Sequence, residues 1–174
     1  MRRSSVAGND GSLRVTERDW SAGRSLLRVY ARIPGGLRQR AVRLVQPSYT
    51  LAVMPVITSH DGEILLVRHS YMGGWGLPGG LVDRRERVEV ALVREAREEV
   101  GLEIALSGAL AVVVDLEDQV VRVISRAQPV ERDAAPTPSS AEIVETRWFG
   151  ADALPTLVPA SVEAMSALAR TEAV

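Results

Sequence analysis

The segment from Gly79 to Gly101 constrains the fold more than any other part of this 174-residue chain. It follows and overlaps a glycine-rich stretch, residues 73–80, which is too irregular for a helix and predicts a loop with one short extended piece. A helix is predicted next, with Asp83 as its N-cap and Glu86 completing a capping box. Gly101 stands where a left-handed residue would end that helix. The stripe predicted to face the core consists of Val88, Ala91, Leu92 and Ala96.

Three carboxylates crowd the last part of this predicted helix, at Glu95, Glu98 and Glu99. Glu95 and Glu99 are four residues apart and share one face, where like charges destabilise a helix. A solvated surface tolerates such crowding, and for the cluster alone that is the more common explanation. The alternative is a divalent cation among the carboxylate oxygens, which are the ligands that Mg²⁺ prefers. The cluster by itself leaves both explanations open.

Strand patterns lie on both sides of the predicted helix. Residues 49–57 and 64–68 are predicted to form a hairpin around a turn at residues 60–62. Strands before and after a helix and its loop favour an α/β layered domain. The elements predicted after the helix are strands over 104–115, 120–127 and 143–149, a loop over 133–140, and a helix beginning near Ser161.

Length and composition favour one soluble domain with an extension. Hydrophobic residues make up 46% of the chain and charged residues 25%, as is usual for a globular protein. The absence of cysteine excludes disulfides and thiolate chemistry. No apolar run resembles a signal peptide, and none approaches the ~18 residues that span a bilayer. We therefore expect no transmembrane segment and a cytoplasmic location.

The first 46 residues differ in charge from the remainder. Residues 1–46 contain ten Arg against three acidic residues, whereas residues 47–174 contain eleven Arg against nineteen. We predict a basic N-terminal extension over 1–46 and a separate domain over 47–174. Within the extension, residues 1–20 lack periodicity and are predicted to be mobile, and residues 26–45 have an amphipathic helical pattern. That pattern could meet a membrane surface, but packing on the domain or on a second subunit is favoured, so a homodimer is left open.

The spacing of Gly, Glu and Arg residues over 80–102 resembles a complete Nudix box. Its two Gly, one Arg and four Glu occur in the order Gly80, Glu86, Arg94-Glu95, Glu98-Glu99 and Gly101. The stretch Gly76–Gly80 resembles the usual lead-in to that box. The pairs Trp148-Phe149 and Leu154-Pro155 resemble the family's closing strand and turn. The resemblance therefore covers about residues 48–160.

The resemblance implies a Nudix-type α/β/α sandwich with a mixed β-sheet. By position, Glu95, Glu98 and Glu99 would be ligands of one or more Mg²⁺ ions, for which Mn²⁺ is a substitute. Glu86 and Arg94 would form an ion pair that orients the helix, and Gly101 would support the box structurally. Gly79 and Gly80 would allow the backbone to approach metal and phosphate closely.

The resemblance also implies a hydrolase that cleaves a phosphoanhydride bond in a nucleoside diphosphate linked to another moiety. Metal-activated water would attack phosphorus while a carboxylate accepts its proton. The base could be a box glutamate or one from a later loop, where Glu142 is the first candidate and Glu145 its rival.

Side chains near the glycine loop are candidates for contact with the substrate. Arg68 could meet a phosphate. Trp75 could stack on a base together with Tyr71, or could instead be a hydrophobic plug that fixes the loop. His60 and His69 are predicted to be structural.

Other functions remain alternatives to hydrolysis of a small nucleotide. A nucleotide-binding sensor without turnover would be favoured by lost box glutamates, and none is lost. An RNA 5′-end pyrophosphohydrolase could use the basic extension, but aromatic residues for stacking are scarce, so no stable nucleic-acid partner is expected. Prenyl diphosphate isomerase chemistry lacks the cysteine of the isomerase relatives. Two subfamilies are marked by a Pro or a Tyr shortly after the box. At those two positions this chain has Glu117 and Gln119, so neither marker identifies the substrate.

Overall fold

The computed structural model describes residues 48–71 and 73–171. The predictions for the extension, mobile over 1–20 and helical over 26–45, lie outside the described residues. Within the described part, two sheets and two helices make up the domain. The strands are β1 (Thr50–Ile57), β2 (Ile64–His69), β3 (Gly80–Leu81), β4 (Ile104–Asp115), β5 (Val120–Pro129) and β6 (Ile143–Phe149), and the helices are α1 (Val88–Val100) and α2 (Pro159–Arg170).

The larger sheet has the strand order β3-β1-β5-β4 and is mixed. β1 runs parallel to β5 over eight residue pairs, and β3 and β4 add antiparallel edges. The predicted strand pair β4–β5 is confirmed, with a break in register between Ser107 and Ala111. β2 and β6 form a separate two-stranded antiparallel sheet.

The predicted hairpin of the first two strands is wrong. β1 and β2 share a single bridge between Thr58 and Ile64, beside the turn. β1 pairs with β5 along its whole length, and β3 occupies its other edge at Ala52 and Val53. β2 therefore pairs with β6 instead. The turn at residues 60–62 favoured pairing between these two successive strands. Pairing with strands more distant in sequence satisfies more of their backbone hydrogen-bonding groups.

The two helices cover opposite faces of the larger sheet, because alternate residues of a strand point to opposite faces. On β5, Val123 packs with Leu92 of α1, whereas Ile124 packs with Ala164 and Leu168 of α2. The α/β layered fold is thus confirmed. Ala91, Leu92 and Ala96 of the predicted stripe are buried, and Val88 is partly buried beside them.

Helix α1 begins later than the capping-box pattern predicts. Its N-cap is Arg87, and no side chain caps it. The Oε2 atom of Glu86 does accept the N–H of Asp83 at 2.9 Å. This bond stabilises a turn that precedes the helix rather than the first turn of the helix itself. The prediction of Asp83 as N-cap is wrong because Glu86 also binds Arg94, which holds residues 83–86 outside the helix.

The end of α1 follows the predicted pattern. Gly101 adopts a left-handed conformation with φ of 68°, and the Leu102 N–H returns to the Ala96 carbonyl at 3.3 Å. The predicted loop over 133–140 then supplies further donors to the helix end. Ser139 N–H donates to the Glu99 carbonyl and Thr137 N–H to the Val100 carbonyl, both at 2.9 Å. No helix of the described residues is long and apolar enough to cross a membrane.

Truncating the buried face of α1 should destabilise the domain. Leu92 is fully buried, so we expect Leu92→Ala to lower the free energy of unfolding by roughly 2–5 kcal/mol. Val90→Ala on the exposed side of the same helix is the matched control and should change it by less than about 0.5 kcal/mol. Urea denaturation followed by circular dichroism measures both values. Equal effects of the two substitutions would contradict the assigned face.

Candidate active site

Arg94 connects three of the glutamates around α1. Its Nε and Nη2 atoms donate to the two carboxylate oxygens of Glu86, both at 2.9 Å. Its Nη1 atom donates to Glu95 at 2.7 Å and to Glu98 at 3.2 Å. The backbone carbonyl of Leu81 in β3 accepts a further bond from Nη2 at 2.9 Å. One guanidinium thereby ties together the helix, the turn before it and the edge of the sheet.

Glu99 lies on the other side of the cluster, and within residues 48–71 and 73–171 no cationic side chain is among its hydrogen-bond partners. Its side chain is 7% exposed, and Oε2 accepts the N–H of Gly79 at 2.8 Å. Burial raises the pKa of Glu99 to about 7, and the nearby carboxylates of Glu95 and Glu142 act in the same direction, whereas the Gly79 N–H opposes them. The carboxylate is thus held at the glycine loop in an environment that disfavours its negative charge.

The glycine loop approaches so closely that side chains are excluded at two positions. A Cβ atom at Gly80 would overlap the carboxylate of Glu95. A Cβ atom at Gly79 would overlap the Val53 carbonyl, and its φ of +155° also favours glycine. These two residues therefore bring the backbone against Glu95 and Glu99, the buried carboxylates of the box.

Glu142 is the later carboxylate that faces this group. Its Oε2 atom accepts a hydrogen bond from the Tyr71 hydroxyl at 3.4 Å, and its carbonyl accepts the Ser70 N–H at 2.8 Å. Its charge acts on the pKa of Glu99, of Tyr71 and of His69, raising each of them, although burial outweighs this at His69.

Glu145 is placed differently from Glu142. It lies opposite Arg68 in the β2–β6 ladder and binds that residue at 2.9 Å and Arg147 at 2.8 Å. The ladder breaks in register between Arg68 and His69. Glu142 lies beyond that break, so it avoids the arginine pairing that occupies Glu145.

Two of the predicted substrate contacts are engaged elsewhere. Arg68 is half exposed and binds Glu145. The Trp75 ring packs edge-on against Phe149 with centroids 4.9 Å apart, and its backbone bridges to Leu157. This arrangement matches the alternative of a hydrophobic plug that fixes the loop. Gly79 and Gly80, in contrast, line a cavity beside the box.

That cavity contains residues that the sequence did not single out. Its volume is about 180 Å³, and it lies between the glycine loop and the start of α2. A larger cavity of about 500 Å³ lies on the outer side of α1 and is lined by none of the four box glutamates. The lining residues that were not predicted as site residues include His69, Arg122 and Ser161. They come from the end of β2, from β5 and from the start of α2, so only the tertiary fold brings them together and no local pattern could have found them.

The chemistry of the donors fits a divalent cation. Glu95, Glu98 and Glu99 offer hard carboxylate oxygens. Burial, with the charges of Glu95 and Glu142, raises the pKa of Glu99 and so penalises its negative charge, which a bound cation would balance. In residues 48–71 and 73–171 no three such side chains converge on one point, because Arg94 forms hydrogen bonds with Glu95 and Glu98. Two of the three carboxylates, Glu95 and Glu99, are nevertheless buried beside the glycine loop.

The comparison with known proteins agrees with this geometry. A family model described as NUDIX domain matches residues 48–168. The chain belongs to the Nudix family. It is 28% identical over 109 residues to a MutT-like protein of Streptomyces ambofaciens, a match covering 61% of this chain and 67% of that one. It is 41% identical over 64 residues to a putative 8-oxo-dGTP diphosphatase of Bacillus subtilis, covering 37% and 43% of the two chains.

Solved structures show the same family likeness. An ADP-ribose pyrophosphatase from Streptococcus suis superposes with a TM-score of 0.59 at 28% identity, covering 72% of this chain and 92% of that one. The predicted membership of the Nudix hydrolases and the predicted α/β fold are confirmed. The metal, the residue roles, the domain boundary at residue 47, the homodimer and the cytoplasmic location stay predictions.

The Glu86–Arg94 pair should make stability depend on acid pH. The hydrogen bonds from Arg94 lower the pKa of Glu86 from 4.5 to about 2, and the Asp83 N–H adds to this. A depressed carboxyl pKa stabilises the folded state above pH 4.5, and that contribution is lost as the pH falls toward 2. We expect Glu86→Gln to be destabilised at pH 7, with a difference from the wild type that shrinks toward pH 2. The exposed Glu163→Gln on α2 is the control and should show little change at any pH. Urea denaturation at pH 7 and at acid pH measures both variants.

Glu99 should show the opposite dependence in protein freed of metal by a chelator. Its pKa is raised to about 7, so the folded state binds this proton more tightly and loses stability as the pH rises from 4.5 through 7. We expect the free energy of unfolding of Glu99→Gln to exceed that of the wild type at pH 8 by roughly 2–3 kcal/mol, with a higher unfolding temperature, and we expect no such gain at pH 4. Differential scanning calorimetry at the two pH values measures this. A variant less stable at pH 8 would contradict the assigned environment.

Proposed function

We propose that this Nudix protein hydrolyses a phosphoanhydride bond in a nucleoside diphosphate linked to another moiety, with Mg²⁺ as cofactor and Mn²⁺ as a substitute. The observation that carries the proposal is the burial of Glu95 and Glu99 against the Gly79–Gly80 backbone. Burial disfavours the negative charge of Glu99, and a divalent cation with its bound phosphates would balance it.

Relatives support the class of reaction. The Bacillus relative is named a putative 8-oxo-dGTP diphosphatase, and the Streptococcus structure is named an ADP-ribose pyrophosphatase. Both names describe attack on a diphosphate group of a nucleotide. The base and the second moiety differ between them. These relatives therefore support the type of bond that is cleaved but do not identify the substrate of this chain.

In the proposed mechanism the three box glutamates bind the metal, and Arg94 and Gly79 position them. Glu95, Glu98 and Glu99 would hold the metal, which when bound supplies a polarised phosphorus centre and a water of lowered pKa. Arg94 limits the repulsion among these glutamates and keeps their helix against β3. The Gly79 N–H fixes the Glu99 carboxylate by the bond at 2.8 Å.

Glu142 is the proposed general base. It lies in the turn before β6, where its side chain accepts the Tyr71 hydroxyl and its carbonyl accepts the Ser70 N–H. Glu145 is a poorer candidate because Arg68 and Arg147 neutralise it. A general base must accept a proton from the attacking water, and both carboxylate oxygens of Glu145 are already bound to arginine.

The reaction class can be tested by a panel of nucleoside triphosphates, nucleotide sugars, ADP-ribose and dinucleotides. We expect turnover of at least one compound with Mg²⁺ and none with chelator. Glu98→Gln should lower kcat/KM by at least the roughly 10- to 100-fold that outer-shell changes cause at metal sites. Product release followed by liquid chromatography measures this. Ligand binding without turnover of any compound would favour the alternative of a nucleotide sensor.

The identity of the base can be tested by a matched pair of substitutions on the same strand region. We expect Glu142→Gln to lower kcat by about 10²- to 10⁴-fold with little change in KM. Glu145→Gln should leave kcat within a few-fold of the wild type. Steady-state kinetics on the best substrate of the panel provides both numbers. If Glu145→Gln had the larger effect on kcat, the assignment of Glu142 would be wrong.

A further inference from the structure

The groove on the outer side of α1 is separate from the cavity beside the glycine loop. Its volume is about 500 Å³, which lies within the range of about 300–1,000 Å³ that sites for drug-sized molecules have. Neither glycine of the loop and none of the four box glutamates lines it. The groove is thus large enough for a small organic molecule at a place that the proposed reaction does not use.

One face of α1 forms a wall of this groove. Arg87, Val90, Arg94 and Arg97 all line it, and they follow one another at intervals of three or four residues. Residues with this spacing lie along one side of a helix. The wall therefore carries arginine side chains and one valine in a single row.

The floor of the groove is apolar. Val93 of α1 and Leu106 of β4 are partly buried against the core, and both also line the groove. Val90 beside them is 54% exposed. A ligand that covered these three side chains would remove their apolar surface from water, which favours binding.

The cations of the groove differ in their partners. Arg87 forms an ion pair with Glu89 at 3.4 Å, and Glu89 lines the same groove. Arg94 is engaged by the box glutamates. Arg97 is exposed, and in the described part of the chain its guanidinium has neither an ion pair nor a hydrogen bond. The groove thus offers one positive charge that is not already paired.

We propose that this groove binds a small organic anion that has one anionic group and an apolar body. The carboxylate, sulfonate or phosphate of the ligand pairs with Arg97, as guanidinium groups do with such oxygens. The apolar body lies on Val90, Val93 and Leu106. A polyanion fits less well, because the other two arginines already have partners.

Two matched fluorescent probes test the proposal. The compound 8-anilinonaphthalene-1-sulfonate has one sulfonate on an apolar body, and N-phenyl-1-naphthylamine is the same body without the sulfonate. We expect the wild type to bind the sulfonate at one site per chain and about three- to fivefold more tightly than the neutral probe, as for an ion pair at an exposed site. Absence of binding, or equal affinity for the two probes, would overturn the proposal.

Substitutions of the arginine then assign the preference for the anionic probe. Arg97→Gln should abolish the difference between the two probes, because it removes the unpaired charge. Arg97→Lys should retain most of the difference, since the charge is kept. Arg170→Gln, at an exposed arginine of α2, is the control and should change nothing. A difference that persists in Arg97→Gln would overturn the role of Arg97.

A charge-reversal pair at Val90 tests the same groove through a second position. Val90 is largely exposed, so both variants should fold. We expect Val90→Glu to weaken binding of the sulfonate by about tenfold or more, because it places a like charge beside the ligand. Val90→Arg, a side chain of similar bulk, should keep or strengthen binding. Equal losses in the two variants would contradict recognition by charge.

Nuclear magnetic resonance locates the bound probe. We expect the sulfonate to shift the methyl resonances of Val93 and Leu106, which line the groove. The methyl resonances of Ala164 and Leu168, which are buried under α2 on the opposite face of the sheet, should not move. Shifts confined to the amides of Gly79 and Gly80 would place the probe at the box and overturn the proposal. None of these measurements requires turnover, so this proposal and the proposed hydrolysis can fail independently.

Discussion

The guanidinium of Arg94 is the contact on which the arrangement of the box depends. It binds Glu86, Glu95, Glu98 and the carbonyl of Leu81. A planar group with five donors can serve these acceptors at once, whereas an ammonium group could not match the paired oxygens of Glu86. The turn before α1, the helix itself and the edge strand β3 thus share one partner. Without that partner the like charges on the helix would repel one another.

At Glu99, on the other side of the cluster, burial disfavours the negative charge of the carboxylate. Glu99 is buried at the glycine loop with one backbone donor, and its pKa is raised to about 7. On an ordinary protein surface this carboxylate would be solvated by water. The excluded side chains at Gly79 and Gly80 are what permit the close approach of backbone and carboxylates. The fold therefore accepts a local electrostatic disadvantage at the point where a cation would be needed, as functional sites often do.

Local patterns predicted the elements well and their partners poorly. The stripe of α1, its end at Gly101 and the strand pair β4–β5 depend on residues close in sequence, and all three are confirmed. The hairpin of β1 and β2 failed because β1 pairs with β5 along its whole length and β2 pairs with β6. These partners are distant in sequence, so the pairing leaves no local signature. The N-cap at Asp83 failed because Glu86, while accepting the Asp83 N–H, also binds Arg94, and the helix begins only after Arg87.

The same distinction explains why the site could be predicted only in part. The box glutamates follow one another on a helix, so their spacing in the sequence is also their spacing in space. Glu142 and His69 come together only because β2 pairs with β6 and the ladder breaks beside His69. Before the break, Arg68 lies opposite Glu145 and neutralises it. Beyond it, His69 turns inward and Glu142 has no arginine among its hydrogen-bond partners in the described part of the chain. One irregularity in a two-stranded sheet thus separates a structural carboxylate from the one that faces the box.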